Sequence, residues 1–135
     1  MILVDTSVLI NYFKCVNNAK EQLFEAILTN NLPFGISAYT YQEILQGARN
    51  KSEYEKLKEY LSTQTIYFLP ETKKTYETAA RMYFDLRRTG ITPRSTIDIL
   101  IALTAIEFNL MLLHDDKDFD EMADKFNNLQ ILKAY

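Results

Sequence analysis

At 135 residues, with 47% apolar and 24% charged side chains, the chain is long enough for one domain with a substantial core and too apolar to stay disordered. A net charge of −3 argues against a protein that coats nucleic acid through bulk positive charge, though not against an enzyme that meets nucleic acid through a bound cation. Cys15 and His114 are each alone of their kind, which excludes an internal disulfide and a typical zinc site, fits a reducing cytoplasm, and leaves oxygen as the ligand for any metal. No apolar run is long enough to cross a bilayer, and the first residues lack the basic flank and cleavage site of a signal peptide, so a cytoplasmic protein with no membrane partner is expected.

The elements alternate along the chain. Ile2–Val4 reads as a short strand, and Ser7–Lys14 as a helix with Val8, Leu9, Tyr12 and Phe13 on one face. Ala19–Leu28 repeats that helical pattern. Pro33–Ser37 is a second strand, followed by helices at Tyr39–Ala48 and Ser52–Leu61, the latter amphipathic through Tyr54, Leu57, Tyr60 and Leu61. The β-branched and aromatic run Thr65–Leu69 is a third strand. A long helix over Thr72–Thr89 is stopped by Gly90. Thr96–Phe108 is apolar almost all round, which predicts a buried helix. Met111–Leu113 is a strand, Phe119–Phe126 a short helix and Leu129–Leu132 the last strand. With only three Gly and three Pro and no internal repeat, one domain over residues 1–135 is expected. Strands alternating with helices predict an α/β fold with a parallel sheet covered on both faces, whose ligands bind beyond the carboxyl ends of the strands.

Acidic residues fall at that edge. Asp5 follows the first strand, Glu43 lies on the helix after the second, Asp98 interrupts the apolar helix STIDILIALTAI, and Asp116 follows the strand MLL, flanked by Asp115 and Asp118. Each could instead be a helix cap: Asp5 or Asp116 directly, Glu43 through a capping box with Thr40, Asp98 through a looser one with Ser95. Taken together, four converging carboxylates with no clear cation placed in sequence to neutralise them would repel one another, and a bound cation relieves that repulsion. Carboxylate oxygens select Mg²⁺ or Mn²⁺, ions that activate water and stabilise a phosphoryl transition state. Four of the five Arg lie between Arg81 and Arg94, so Arg87, Arg88 and Arg94 could grip phosphates beside such a site, or could simply be solvated at a helix end. Thr6 and Ser7 could orient Asp5 or cap a helix. His114, at a strand end, could serve acid–base chemistry or only structure.

Four stretches resemble the PIN domain family, and within it the VapC-type toxins of toxin–antitoxin pairs: MILVDTSVLI, ISAYTYQEILQGA, LRRTGITPRSTIDILIALTAI and LLHDDKDFDEMA. They stand in the family's order and span nearly the whole chain. The resemblance implies a three-layer α/β/α sandwich with a mainly parallel sheet, and a Mg²⁺- or Mn²⁺-dependent endoribonuclease. It implies RNA as substrate, a cognate antitoxin that blocks the site, and a homodimer. The family's acidic quartet falls on Asp5, Glu43, Asp98 and Asp116, with Asp118 competing for the fourth place, and its supporting hydroxyl on Thr6 or Ser7. Asp5, Asp98 and Asp116 are then the main metal ligands. Glu43 holds a second metal or assists the attacking water. Val8, Leu9, Tyr12, Phe13, Tyr54, Leu57 and Tyr60 are expected to contribute part of an antitoxin groove. The alternative is a PIN nuclease that processes RNA or DNA without an antitoxin. A receiver-like module would need paired acids after the first strand, and an aspartyl phosphatase would need DxD there; DTS supplies neither.

Overall fold

The computed structural model describes residues 1–133, so the last two residues of the expected 1–135 domain lie outside the described residues. Strand β1 (Ile2–Val4) is followed by helices α1 (Thr6–Phe13) and α2 (Ala19–Thr29), then β2 (Phe34–Ser37), α3 (Ala38–Gln46), α4 (Lys51–Ser62) and β3 (Thr65–Tyr67). The second half runs α5 (Lys73–Arg88), α6 (Thr96–Glu107), β4 (Met111–Leu113), α7 (Lys117–Lys125) and β5 (Gln130–Ile131). The five strands form one sheet in the order β3-β2-β1-β4-β5, and every pair is parallel.

Strand alternation turns this sheet into the middle of three layers. Successive side chains on a strand point to opposite faces. Leu3 of β1 and Leu112 of β4 therefore join one core, with Met82 and Leu86 of α5, Ile101 of α6 and Phe119 of α7. Their neighbours Val4 and Leu113 join the other, with Val8 and Leu9 of α1, Phe24 of α2, Ile44 of α3 and Leu61 of α4. Helix α6 is buried as its composition predicts: Ile99 and every residue from Ile101 to Ala105 are in the interior.

The boundaries differ from the sequence expectations for identifiable reasons. β3 stops at Tyr67 rather than Leu69, because it pairs only with β2 and its Tyr67 already faces Ser37, where β2 ends. Phe68 has no strand to lie on and is 67% exposed. Helix α7 begins at Lys117 rather than Phe119 because Asp116 caps it. Helix α3 begins at Ala38 because its cap is Ser37, whose Oγ accepts the Thr40 N–H at 3.0 Å; the expected Thr40–Glu43 capping box does not form. Val8 and Leu9 are 0% and 1% exposed, so they belong to the core and not to a partner surface.

The strand order positions the ligand edge. The chain winds outward from β1 to β2 and β3, then returns to the other side of β1 as β4. The crevice at the β1–β4 boundary is the switch point at which parallel sheets bind ligands. Asp5 immediately follows β1, and its N–H extends the pairing to the Leu113 carbonyl of β4 at 2.9 Å.

Candidate active site

Asp5 is buried at this boundary. It caps α1, its Oδ2 accepting the Ser7 N–H at 3.0 Å and the Ser7 hydroxyl at 2.6 Å. Burial pushes its carboxyl up to about 6, against the lowering effect of the Ser7 bonds. Capping and a place at the ligand edge coincide for Asp5, since the terminus that gains a cap also helps hold the anion.

Asp98 occupies the first turn of α6 but is not its cap. Ser95 takes that role, its Oγ accepting the Ile97 N–H at 3.0 Å. Among the described residues Asp98 has no hydrogen-bond partner to offset its surroundings, and its carboxyl is raised to about 7, first by burial and then by the charges of Asp5, Asp116, Glu43 and Asp118. Asp116 caps α7, with Oδ1 accepting the Asp118 N–H at 3.0 Å. Asp98, Asp116 and Asp118 each present an oxygen such that all three lie within 4.8 Å of one another. Asp116 and Asp118, competitors for one place in the sequence, therefore both stand at the cluster. All the donors are carboxylate oxygens, a set that suits a hard dication such as Mg²⁺ or Mn²⁺.

Glu43 approaches from α3. Its Oε1 accepts the Thr6 hydroxyl at 2.7 Å, and Thr6 Oγ1 lies 3.1 Å from Thr40 Oγ1. The two hydroxyls that the sequence left as alternatives divide the work: Ser7 holds Asp5, and Thr6 holds Glu43. Thr40, fully buried, completes this bridge through its 3.3 Å contact with Ser37 Oγ. Its contribution was not apparent from the sequence, where it looked like a cap.

One expectation is overturned. A cation does neutralise part of the cluster: Arg94 pairs with Asp116 at 2.9 Å through Nη2 and with Asp118 at 3.3 Å through Nε. Twenty-two and twenty-four residues separate these partners, so only folding brings them together. Arg87 and Arg88 do not share that position. They sit exposed in the last turn of α5, where Arg88 lies over the Phe84 ring at 5.6 Å.

Two further groups that the sequence placed beside Asp116 take structural positions. Asp115 points away from the cluster: its Oδ2 accepts from Asn11 at 2.7 Å and Asn18 at 3.0 Å, and its N–H donates to Ser7 Oγ at 2.9 Å. That last bond uses the Ser7 lone pair and leaves the Ser7 proton for Asp5. His114 is 2% exposed; its Nδ1 accepts the Asp116 N–H at 3.1 Å, and its Nε2 lies 3.2 Å from Asp120 Oδ1. Burial pushes the imidazole below its usual value despite Asp120. The ring is therefore a neutral strut that donates from Nε2 and fixes the backbone of Asp116. No sequence signal separates such a strut from an acid–base histidine.

Beside the acids, a groove of about 530 Å³ runs between α1, α3 and α4. Ile10, Phe13, Ile44 and Leu57 supply its apolar lining, and Glu43 also borders it. Of the expected groove residues, Phe13 and Leu57 line this cleft; Tyr12 and Tyr60 pack partly buried against the core and Tyr54 is exposed.

The sequence and the fold match known proteins. The PIN domain family model matches residues 2–125. The chain is similar to ribonuclease VapC11 of Mycobacterium tuberculosis, with 30% identity over 131 residues covering 96% of each chain. It is equally similar to the VapC ribonuclease Mb1587 of Mycobacterium bovis, at 30% identity over the same share of both chains. Its fold resembles VapBC2 from Rickettsia felis bound to a promoter DNA fragment, at a TM-score of 0.72 and 19% identity, covering 98% of each chain. It also resembles a toxin–antitoxin complex from Klebsiella pneumoniae, at a TM-score of 0.70 and 20% identity, covering 100% of this chain and 98% of that one.

Proposed function

The chain belongs to the PIN domain family, and from that premise we propose that it is a VapC-type endoribonuclease, the toxin of a toxin–antitoxin pair, which hydrolyses RNA phosphodiester bonds with Mg²⁺ or Mn²⁺. One observation carries the reading. Asp98, Asp116 and Asp118 bring three carboxylate oxygens within 4.8 Å of one another, and after burial Asp5 is the charge that raises the Asp98 carboxyl most. An all-oxygen cluster in which burial and then the neighbouring acids push the Asp98 carboxyl up is a site that a dication stabilises.

The residues divide the chemistry among them. A dication bound there supplies Lewis acidity and lowers the pKa of water. Asp5, Asp98, Asp116 and Asp118 form its carboxylate bed. Ser7 keeps Asp5 oriented, and the His114 imidazole keeps the Asp116 backbone in place. Glu43, anchored through Oε1 by Thr6, has a second oxygen with which to accept a proton from the attacking water or to hold a second ion. Arg87 and Arg88 stand on the helix that leads toward the site and provide phosphate contacts for RNA.

The partner follows from the same reading. VapC11 is a ribonuclease by name, the R. felis neighbour was solved as VapBC2 on promoter DNA, and the K. pneumoniae neighbour as a toxin–antitoxin complex. An amphipathic antitoxin helix fits the groove of Ile10, Phe13, Ile44 and Leu57 and, lying there, obstructs Glu43. The toxin is a homodimer in this reading, which light scattering of the purified chain checks directly.

The test is cleavage of RNA by the purified chain, with and without Mg²⁺ or Mn²⁺, and with Asp5→Asn as control. Metal-dependent cuts lost in Asp5→Asn support the reading; cuts that persist in chelator, or in the variant, refute it. Growth arrest relieved by the product of the neighbouring reading frame separates a toxin from a nuclease that works without an antitoxin.

A further inference from the structure

Among the described residues the contact of Arg94 with the acids is unlike the other Lys and Arg ion pairs. Arg49–Glu53, Lys73–Glu77 and Arg81–Asp85 are local pairs one helical turn apart. Arg94 reaches two carboxylates from a different part of the chain, both of them members of the oxygen cluster. Its side chain is nevertheless 73% exposed, whereas those of Asp116 and Asp118 are 16% and 9% exposed. The anions are fixed and enclosed; the cation lies over them from the solvent side.

The oxygens involved make this a competition. Asp116 Oδ1 accepts the Asp118 N–H, and Asp116 Oδ2 accepts Arg94 Nη2. Both oxygens of Asp116 are therefore engaged, and the only engagement that solvent can reach and a side chain can release is the guanidinium. Asp118 Oδ2 is likewise held by Arg94 Nε. A dication entering among Asp98, Asp116 and Asp118 meets a positive charge already seated on two of the three. The two cations repel, and a mostly exposed ion pair is weak compared with direct coordination of carboxylates to a hard dication.

We propose that Arg94 is an exchangeable counter-ion of the metal site. The guanidinium bridges Asp116 and Asp118 and offsets one of their two charges while no dication is bound, yields those oxygens when one binds, and is then free to take an RNA phosphate at the same edge. The exchange couples metal loading to substrate grip: the dication takes over both carboxylates, and a phosphate then becomes the partner of the guanidinium they release. Arginine suits both duties because its planar fork matches two carboxylate oxygens or one phosphate equally well. The proposal rests on the reading of these acids as metal ligands, and its test is chosen to separate the two.

The measurement is Mn²⁺ affinity of the chelator-stripped protein by titration calorimetry, for the wild type, Arg94→Gln and Arg94→Lys, with a metal-free melt of each to verify folding. Exchange predicts that Arg94→Gln binds Mn²⁺ about 3- to 10-fold more tightly, as expected when a competing unit charge beside the ion is removed. Arg94→Lys, which keeps the charge, stays near the wild-type value. At saturating Mn²⁺, Arg94→Gln shows a raised KM for RNA, and the salt dependence of binding is shallower by about 0.7 in log–log slope, the loss of one phosphate contact on a single strand. Mn²⁺ affinity unchanged or weakened in Arg94→Gln overturns the exchange and leaves the metal site standing, because Arg94 would then be a clamp that shapes the ligands. An unchanged KM and salt slope overturn the phosphate role. No Mn²⁺ binding by any of the three proteins overturns the metal reading and the exchange with it.

Discussion

Replacing Asp98 with Asn separates the electrostatic cost of the cluster from its purpose. In the metal-free fold the Asp98 carboxyl is lifted from 3.8 to about 7, by burial and then by Asp5, Asp116, Glu43 and Asp118. Between those two values the unfolded chain releases its proton while the folded chain keeps it, so stability falls as pH rises through this window and levels off above pH 7. At about 1.4 kcal/mol per unit, the whole displacement bounds the cost at about 4 kcal/mol. Partial exposure and repulsion shared with Asp5 reduce the recoverable part to about 2 kcal/mol. Asn has the same shape and no charge, and Ser95 rather than Asp98 caps the helix, so no cap is lost. Metal-free Asp98→Asn should therefore match the wild type near pH 4 and exceed it near pH 8 by about 2 kcal/mol, or about 6–10 °C in Tm for a domain of this size. With millimolar MnCl₂ the order reverses. The wild type gains about 2.7 kcal/mol if metal stands at 100 times its Kd, and the variant, lacking one anionic ligand, gains little. The assay is a set of melts across pH with and without Mn²⁺, paired with RNA cleavage. A stability difference that does not vary with pH would refute the electrostatic argument, and a variant with undiminished Mn²⁺ stabilisation and cleavage would refute the site.

Thr6→Val keeps the shape of the side chain but deletes the 2.7 Å bond to Glu43; we expect a loss of about 1 kcal/mol in a melt and a larger fractional loss of kcat than of KM in RNA cleavage. Ile10→Arg places a charge in the apolar groove at a residue that is 38% exposed, so the chain should fold and cleave RNA normally while failing to co-purify with its antitoxin. Co-purification at wild-type yield would move the partner elsewhere. Phe24→Ala empties a fully buried position, where Phe24 meets Tyr12 and Phe34 edge-on, and should cost about 3–5 kcal/mol by chemical denaturation with the acids untouched.

Much of the fold was legible in one dimension because it rests on local periodicity. The alternation of apolar runs with helical stripes gave every element its place and type, and the all-round apolarity of Thr96–Phe108 marked it as buried. Asp5, Asp98 and Asp116 could be nominated because each follows or interrupts an apolar segment, and parallel sheets gather such positions at one edge. Boundaries were less legible because they depend on what lies opposite. β3 ends where β2 ends, and α3 starts at Ser37 because that hydroxyl, not the Thr40 one, reaches an unpaired amide. Partnership among the site's side chains was legible only at short range, as where Ser7 orients Asp5 two residues away. That Arg94 closes on Asp116 and Asp118, that Thr6 serves Glu43, and that the Asp115 amide reaches Ser7 are facts of a few ångströms between residues 22 to 108 positions apart. Sequence spacing carries the side-chain period of an element. The direction in which a hydroxyl or guanidinium turns is set by packed neighbours from elsewhere in the chain, and only the tertiary structure supplies them.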